Sequence, residues 1–205
     1  MAKRLWYMFT GWGFVGVIYS LTDALQRTGT ALTPSFVDRW VPFSANAIWC
    51  YLSFFLIVPL AYLSCPVHRL PWLRTTTMAT ALCAGAVYLA WPTTMAYPDV
   101  PADNSLSVRL LTALMRVDSP QNCLPSLHMA LTLLSVLAMD RRDYTLWRIV
   151  NLLWGIAIGF SILQLRRHLF IDLVSGAALA LLLGAVVARY PSTFSCRHRV
   201  RVPHD

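Results

Sequence analysis

The chain has 205 residues, of which 57% are hydrophobic and 13% charged, and it carries a formal net charge of +8. This composition lies far outside that of ordinary soluble domains and predicts an integral membrane protein. The basic residues fall in loops and at both ends instead of forming a stripe, so their distribution indicates membrane orientation and no nucleic-acid partner.

Six apolar segments predict helices that cross a bilayer, which takes about 20 residues per span. The runs are continuously apolar, whereas the strands of a barrel alternate over about 10 residues. We therefore predict an all-α, polytopic membrane protein in which a single domain, 1–205, forms one bundle of six transmembrane helices. The predicted spans are 5–25, 45–64, 76–96, 124–139, 144–165 and 168–190.

The longest polar interruption is residues 97–122, which are rich in Pro, Asp and Asn. Within this loop the segment SLSVRLLTALMRV predicts an amphipathic helix that lies at the membrane interface. Beyond the last span, residues 191–205 form a basic tail.

The distribution of Lys and Arg predicts the orientation. With six spans, the side that holds both termini carries eleven of the 17 Lys and Arg residues. By the positive-inside rule both termini and the tail are cytoplasmic. The loop 97–122 and the segment RRH (166–168) then lie on the extracytoplasmic side of a bacterial-type inner (plasma) membrane.

Small residues spaced four apart predict close packing between the fifth and sixth spans. Such packing would hold the outer ends of both helices, and His168 with them, in fixed positions. The small residues are Gly155 and Gly159 in the fifth span, and Gly176, Ala180 and Gly184 in the sixth.

Two histidines are predicted to meet at the extracytoplasmic surface. His168 and Asp172 are four apart at the start of a helix, so the carboxylate can hold the imidazole in one tautomer. His128 follows Pro125, which is well placed for a first helical turn, and the free amides there would attract an anion. With Arg166 and Arg167 nearby, these groups suit phosphoryl transfer, in which one imidazole attacks phosphorus and the other protonates the departing oxygen.

Structural roles are the alternative for each of these features taken singly. A His–Asp pair can be a satisfied polar pair at the membrane boundary, and arginines at the end of a span commonly reach the headgroups. Their coincidence on one side favours a functional site. For His68, His198 and His204, which lie on the opposite side, a structural role is preferred.

The motif PSLH (125–128), with Ser161, His168 and Asp172, resembles the type-2 phosphatidic acid phosphatase superfamily. The patterns of that superfamily are KxxxxxxRP, PSGH and SRxxxxxHxxxD. The resemblance implies that His168 is the nucleophile, Asp172 its orienting partner and His128 the acid. It also implies that Ser126 belongs to the phosphate cradle and that no metal or other cofactor is needed.

Three departures from the patterns are present. Leu127 replaces the glycine of PSGH, Ile162 stands where the third pattern has arginine, and the region expected for KxxxxxxRP reads YLAWPTTMAYPDVP. The form PSLH without the arginine is similar to the branch that includes inositol phosphorylceramide synthases. Substitute phosphate-binding cations are predicted, with Arg166 and Arg167 as the first choice. Weaker candidates are Arg109 and Arg116.

The sequence therefore predicts a membrane enzyme that cleaves or transfers the phosphate ester of a phospholipid or polyprenyl phosphate at the outer leaflet. Its expected partners are this lipid substrate and the surrounding membrane lipids, and homo-oligomer formation is left open. One alternative is a headgroup phosphotransferase of the inositol phosphorylceramide synthase type. A second is a catalytically inactive lipid-binding scaffold.

Overall fold

The computed structural model describes residues 1–25, 28–100, 103–118, 120–140 and 144–189. These residues are mostly helical, as predicted. The predicted tail 191–205 and residues 141–143 of the predicted fourth loop lie outside the described residues. The α-helices are α1 (Ala2–Leu25), α2 (Phe36–Trp40), α3 (Ile48–Leu52), α4 (Phe54–Ser64), α5 (Leu70–Ala90), α6 (Leu106–Val117), α7 (Leu127–Met139), α8 (Thr145–Gln164) and α9 (Phe170–Arg189).

Each of the six predicted spans overlaps a helical segment of the structure. Among the described residues, three helical runs are long and apolar enough to cross a membrane, namely Ala45–Ser64, Thr145–Gln164 and Phe170–Arg189. The first of them joins a 3-10 turn (Ala45–Ala47) to α3 and α4. The protein is thus a helical membrane protein, and six crossings remain a prediction.

The third helical segment is displaced from its predicted position, 76–96. The helix α5 already begins at Leu70, because Pro71 fits the first helical turn. It ends at Ala90, since Pro92 disfavours a helical conformation at Trp91, whose φ and ψ are −139° and 77°.

A short strand pair was not predicted from the sequence. Strands β1 (Thr30–Ala31) and β2 (Thr93–Thr94) pair in parallel, with Thr30 beside Thr93. The segments that follow α1 and α5 leave the bundle side by side, so their backbone groups can pair. We call the end of the molecule that holds β1, β2 and α6 the loop end.

Basic side chains join the helices at the opposite end, which we call the basic end. Arg4, at the start of α1, donates to the carbonyl of Cys65 after α4 at 2.8 Å. Arg69, just before α5, donates to the carbonyl of Leu137 near the end of α7 at 2.8 Å. Starts of some helices therefore meet ends of others here, as in a bundle whose long helices alternate in direction.

The helix α7 packs against α4, α5, α8 and α9. A Cβ on Gly155 would lie 2.9 Å from Val136 of α7, and one on Gly159 would lie 3.3 Å from Met129 of α7. The predicted packing of the fifth span directly on the sixth is therefore wrong. The glycines of α8 face α7, and α7 separates much of α8 from α9.

Gly176 of α9 touches the backbone at the start of α7. A Cβ at this position would overlap the carbonyl oxygen of Ser126 and lie 3.1 Å from its carbonyl carbon. Because these are backbone atoms, no side-chain rotation can relieve the overlap. Gly176 thus fixes how closely α9 approaches the segment that carries His128.

Replacing Gly176 by alanine is expected to destabilise the protein by about 1–3 kcal/mol, the usual cost of overpacking. The measurement is thermal unfolding of the purified protein in detergent, where the variant should have a lower Tm. The matched control is Gly13→Ala, since a Cβ there meets no described heavy atom within 4 Å. Both substitutions gain helix propensity of about 1 kcal/mol, so an equal Tm for the two variants would contradict the packing argument.

Candidate active site

Two histidines from different helical segments face each other at the loop end. His128 lies in the first turn of α7, and His168 lies two residues before α9. Their ring centroids are 5.7 Å apart, with an angle of 59° between the ring planes. One atom with its substituents can therefore contact both imidazoles.

Asp172 lies beneath His168. Its Oδ2 atom is 3.5 Å from Nδ1 of His168 and accepts a hydrogen bond of 2.9 Å from the backbone amide of Leu169. The carboxylate is fully buried, so its position beside the imidazole is fixed by packing. Because Nδ1 faces Asp172, the Nε2 atom of His168 is the nitrogen that can attack a substrate.

The start of α7 differs from the sequence expectation. Pro125 is not in the first helical turn, because Ser126 is the N-cap and the helix begins at Leu127. The Ser126 amide is not free either, since it donates to the carbonyl of Asp172 at 2.9 Å. The Ser126 hydroxyl accepts from the amide of Met129 at 3.3 Å. In this structure Ser126 thus caps α7 and joins it to α9.

The turn between α8 and α9 sends its two arginines in different directions. Arg166 has a left-handed backbone, with φ of 53°. The amides of Arg166 and Arg167 donate to the carbonyls of Leu163 and Ile162 at 3.0 and 3.1 Å, which is the Schellman pattern of a helix end. The chain reverses at this point, so neighbouring side chains diverge.

Arg166 does not join the histidines. Its guanidinium donates to the carbonyls of Asp38 and Val41, the latter at 2.8 Å. These bonds tie the turn to α2 and offset part of the cost of a left-handed residue other than glycine. The structure thus gives Arg166 contacts that hold the turn in place.

Arg167, in contrast, is buried beside the histidine pair, with 5% of its surface exposed. It forms an ion pair with Asp118, at the end of α6, and donates to the Tyr97 hydroxyl at 2.7 Å. Its Nε and Nη1 atoms are buried without a hydrogen-bond partner among the described residues. These two donors suit an anion that binds next to His168.

The pair between Asp118 and Arg167 is ionised at neutral pH. Burial raises the pKa of Asp118, but the attraction of Arg167 and His128, together with the hydrogen bonds from Tyr19 and Arg167, holds the pKa below its ordinary value. Burial likewise disfavours the charged form of Arg167, yet Asp118, together with Tyr51 and Tyr97, raises its pKa above the ordinary value. The guanidinium therefore keeps its charge in the site.

The other positions considered for a phosphate-binding cation do not supply one beside the histidines. Ile162, at the position of the arginine in the third pattern, is fully buried in the core. Arg109 and Arg116 line a separate cavity together with Asp103. Among the arginines predicted from the sequence, Arg167 is the one that the structure brings to the histidines.

Tyr51 is a site residue that the sequence did not indicate. Its hydroxyl lies 2.9 Å from Nε2 of His128, and its ring packs on the imidazole with centroids 5.2 Å apart. Phe54 contacts the same imidazole, with centroids 4.7 Å apart. Both aromatic residues lie in apolar helices, where nothing in the sequence separates them from other core residues.

An apolar cavity of about 400 Å³ opens beside His128. It runs between α1, α4, α6 and α7, and His168 is not one of its lining residues. Its polar groups include His128, Asp118 and Asp23. The apolar part of the lining consists of Trp12, Val15, Phe54, Phe55, Leu114, Val117, Leu127 and Leu131.

Comparison with known proteins gives one match. Residues 33–186 match the sequence model of a family described as the PAP2 superfamily. The matched region is more than half of the chain and contains His128, His168, Asp172 and Arg167. Neither the curated proteins nor the solved structures include a match to the chain.

Proposed function

The chain belongs to the PAP2 superfamily, and on that premise we propose that it cleaves or transfers the phosphate ester of a lipid through a phosphohistidine on His168. Members of this superfamily are in general phosphatases and phosphotransferases that act on lipid phosphates. A phospholipid or a polyprenyl phosphate is the proposed substrate.

The observation that carries this proposal is that His128 both lines the apolar cavity and lies next to His168, with ring centroids 5.7 Å apart. A lipid chain in the cavity directs its ester oxygen towards His128 and its phosphorus towards His168. Nε2 of His168 attacks phosphorus, and His128 protonates the oxygen of the departing lipid alcohol. In the second step His128 takes a proton from water or an alcohol, which attacks the phosphohistidine and releases His168.

Arg167 supplies the charge that the family patterns place on other residues. Asp118 and Tyr97 hold its Nη2 atom, and either Nε or Nη1, which lack a hydrogen-bond partner among the described residues, donates to the oxygens of the transferred phosphoryl group. Charge that builds up on these oxygens in the transition state is then stabilised by donors already in place.

Replacing Arg167 by lysine is expected to lower kcat/KM for phosphate release about 10²-fold, the scale for loss of one preorganised donor. Lysine keeps a charge for Asp118 but lacks the planar fork of donors. The comparison is Arg166→Lys, which changes an arginine bound to carbonyls away from the histidines. An Arg166→Lys variant as impaired as Arg167→Lys would argue against the assignment.

The proposed site faces the outer leaflet of a bacterial-type inner membrane, with both termini cytoplasmic. The basic end, with Arg4 and Arg69, fits the cytoplasmic side. We propose that α1 and α5 also cross the membrane, because they carry large apolar side chains on their outer surfaces, such as Phe9 (67% exposed) and Leu82 (52% exposed). A reporter fused to the C-terminus that is active only outside the cell would overturn this orientation.

One assay tests the proposed function and separates hydrolysis from transfer. The purified protein is incubated in detergent with a radiolabelled lipid phosphate, with and without an alcohol lipid. Release of free phosphate supports the phosphatase, and transfer of the label to the alcohol lipid as a new phosphomonoester supports the phosphotransferase. The inositol phosphorylceramide synthase type is tested with a labelled phosphodiester lipid as donor, from which transfer to the alcohol lipid would give a new phosphodiester. None of these products, with lipid binding retained, would indicate the inactive scaffold. The buried Asp172 beneath His168 and the free donors of Arg167 favour an active enzyme.

A further inference from the structure

The cavity beside His128 contains two carboxylates in different states. Asp118 is paired, since it accepts a hydrogen bond of 2.7 Å from the Tyr19 hydroxyl and forms the ion pair with Arg167. Asp23 is partly buried, and its Oδ1 atom is buried without a hydrogen-bond partner among the described residues. One acceptor of the cavity is therefore unused by the protein.

A buried carboxylate oxygen is unfavourable unless water or a ligand supplies a donor. Asp23 lines the same apolar cavity as His128. A ligand bound in this cavity can therefore supply a hydrogen-bond donor to the Oδ1 atom. A purely hydrocarbon ligand would leave the oxygen unpaired. A ligand with a hydroxyl or ammonium group would satisfy it.

The position of Asp23 places that donor near the phosphate. Asp23 follows Tyr19 by four residues on α1, so the two side chains lie on one face of the helix. The Tyr19 hydroxyl contacts Asp118, and Asp118 contacts Arg167, the proposed phosphate ligand. Asp23 thus belongs to the part of the cavity next to the phosphate-binding arginine, where the polar end of a lipid would lie.

We propose that this cavity selects lipid phosphates that carry a hydroxyl or ammonium group close to the phosphate ester, and that Asp23 accepts the hydrogen bond from that group. The inference rests on the proposed function and narrows its substrate class. A carboxylate at this place repels phosphate oxygens, so it serves the neighbouring donor and leaves the phosphate to Arg167.

The test compares three lipid phosphates with chains of equal length. One is a monoacylglycerol 3-phosphate, which has a free hydroxyl; one is a long-chain 2-amino alcohol phosphate, which has an ammonium; and one is a plain alkyl phosphate. The full-length protein in detergent is expected to show at least tenfold higher kcat/KM for one or both donor-bearing lipids than for the alkyl phosphate. A ratio near one in the unmodified protein overturns the proposal without any mutation.

Variants then assign the preference to Asp23. In Asp23→Leu the ratio is expected to fall to about one. In Asp23→Asn, which keeps an acceptor but no charge, a preference for the hydroxyl should persist and one for the ammonium should be lost. The control Asp99→Asn changes an exposed aspartate that does not line the cavity and should keep the original ratio. An Asp23→Leu variant with an unchanged ratio contradicts the proposal.

A binding measurement separates this inference from the proposed enzyme function. Binding of a monoacylglycerol, which has donors but no phosphate, is compared with binding of its dimethyl ether. The protein should prefer the monoacylglycerol, and Asp23→Leu should abolish that preference. If the preference is present while no lipid phosphate is turned over, the proposed function fails and the cavity assignment stands. Equal binding of the two lipids refutes the cavity assignment.

Discussion

Replacing His168 by alanine is expected to lower kcat/KM for phosphate release from a lipid phosphate at least about 10⁴-fold, because the variant has no nucleophile. Asp172 is buried, and its carboxylate lies 3.5 Å from Nδ1 of His168. This contact favours the ring orientation in which Nε2 faces the substrate. Binding of the lipid should change little, since His168 does not line the apolar cavity. The measurements are phosphate release and lipid binding by the same purified variant.

The matched control is His68→Ala. His68 is exposed and lies in the 3-10 turn Val67–Arg69 just before α5, at the basic end. Its replacement removes an imidazole from the same protein without touching the site, so activity should stay within about twofold of the original. Equal losses in the two variants would mean that the histidine pair has no special role.

Replacing His128 by alanine is expected to lower phosphate release from an alkyl phosphate by about 10²- to 10⁴-fold, the range for loss of a general acid. The loss should depend on the leaving group. An alkoxide needs a proton to depart, whereas a weakly basic aryl oxide does not. With an aryl phosphate, formation of the phosphoenzyme should therefore be nearly unaffected, and its breakdown should become slow.

Pre-steady-state kinetics check this prediction. The His128→Ala variant should release aryl alcohol in a burst, followed by a slow steady state. An equal loss of the burst rate for alkyl and aryl phosphates would show that His128 is not the acid for the leaving group. Tyr51→Phe offers a graded comparison, since it removes only a hydroxyl, which contacts Nε2 of His128 and also interacts with Arg167.

The meeting of the two histidines could be predicted from the sequence because two local patterns place each one at the end of an apolar helix. His128 follows the Pro-Ser pair that precedes α7, and His168 precedes Asp172 by one helical turn. Ends of membrane helices on one side share a thin layer, so few arrangements remain open to them. The distance between the rings depends on how α7 and α9 pack, which the contact of Gly176 with Ser126 determines.

The different contacts of Arg166 and Arg167 could not be predicted from the sequence. Both arginines are equally basic and adjacent, and a left-handed residue at a helix end is usually glycine. The structure instead puts Arg166 at that position, where carbonyls of α2 receive its guanidinium. Only the path of α2, more than a hundred residues earlier in the chain, decides which arginine reaches the site.

Tyr51 and the packing of the glycines were missed for a related reason. Apolar helices offer many aromatic and small residues, and their sequence spacing shows which share a face but not which neighbour that face meets. Gly155 and Gly159 pack on α7 instead of α9 because α7 lies between them. Tyr51 contacts His128 because α7, which carries His128, lies at the centre of the bundle.

The most direct test of the two-histidine mechanism is to trap the phosphoenzyme. The protein and its His128→Ala variant are mixed with a radiolabelled aryl phosphate, quenched under alkaline conditions and digested for mass spectrometry. The mechanism predicts an acid-labile phosphoryl group on His168, more abundant in His128→Ala than in the unmodified protein and absent from His168→Ala. No phosphoryl group on His168 in either of the first two proteins, or one that persists on another residue in His168→Ala, would contradict it.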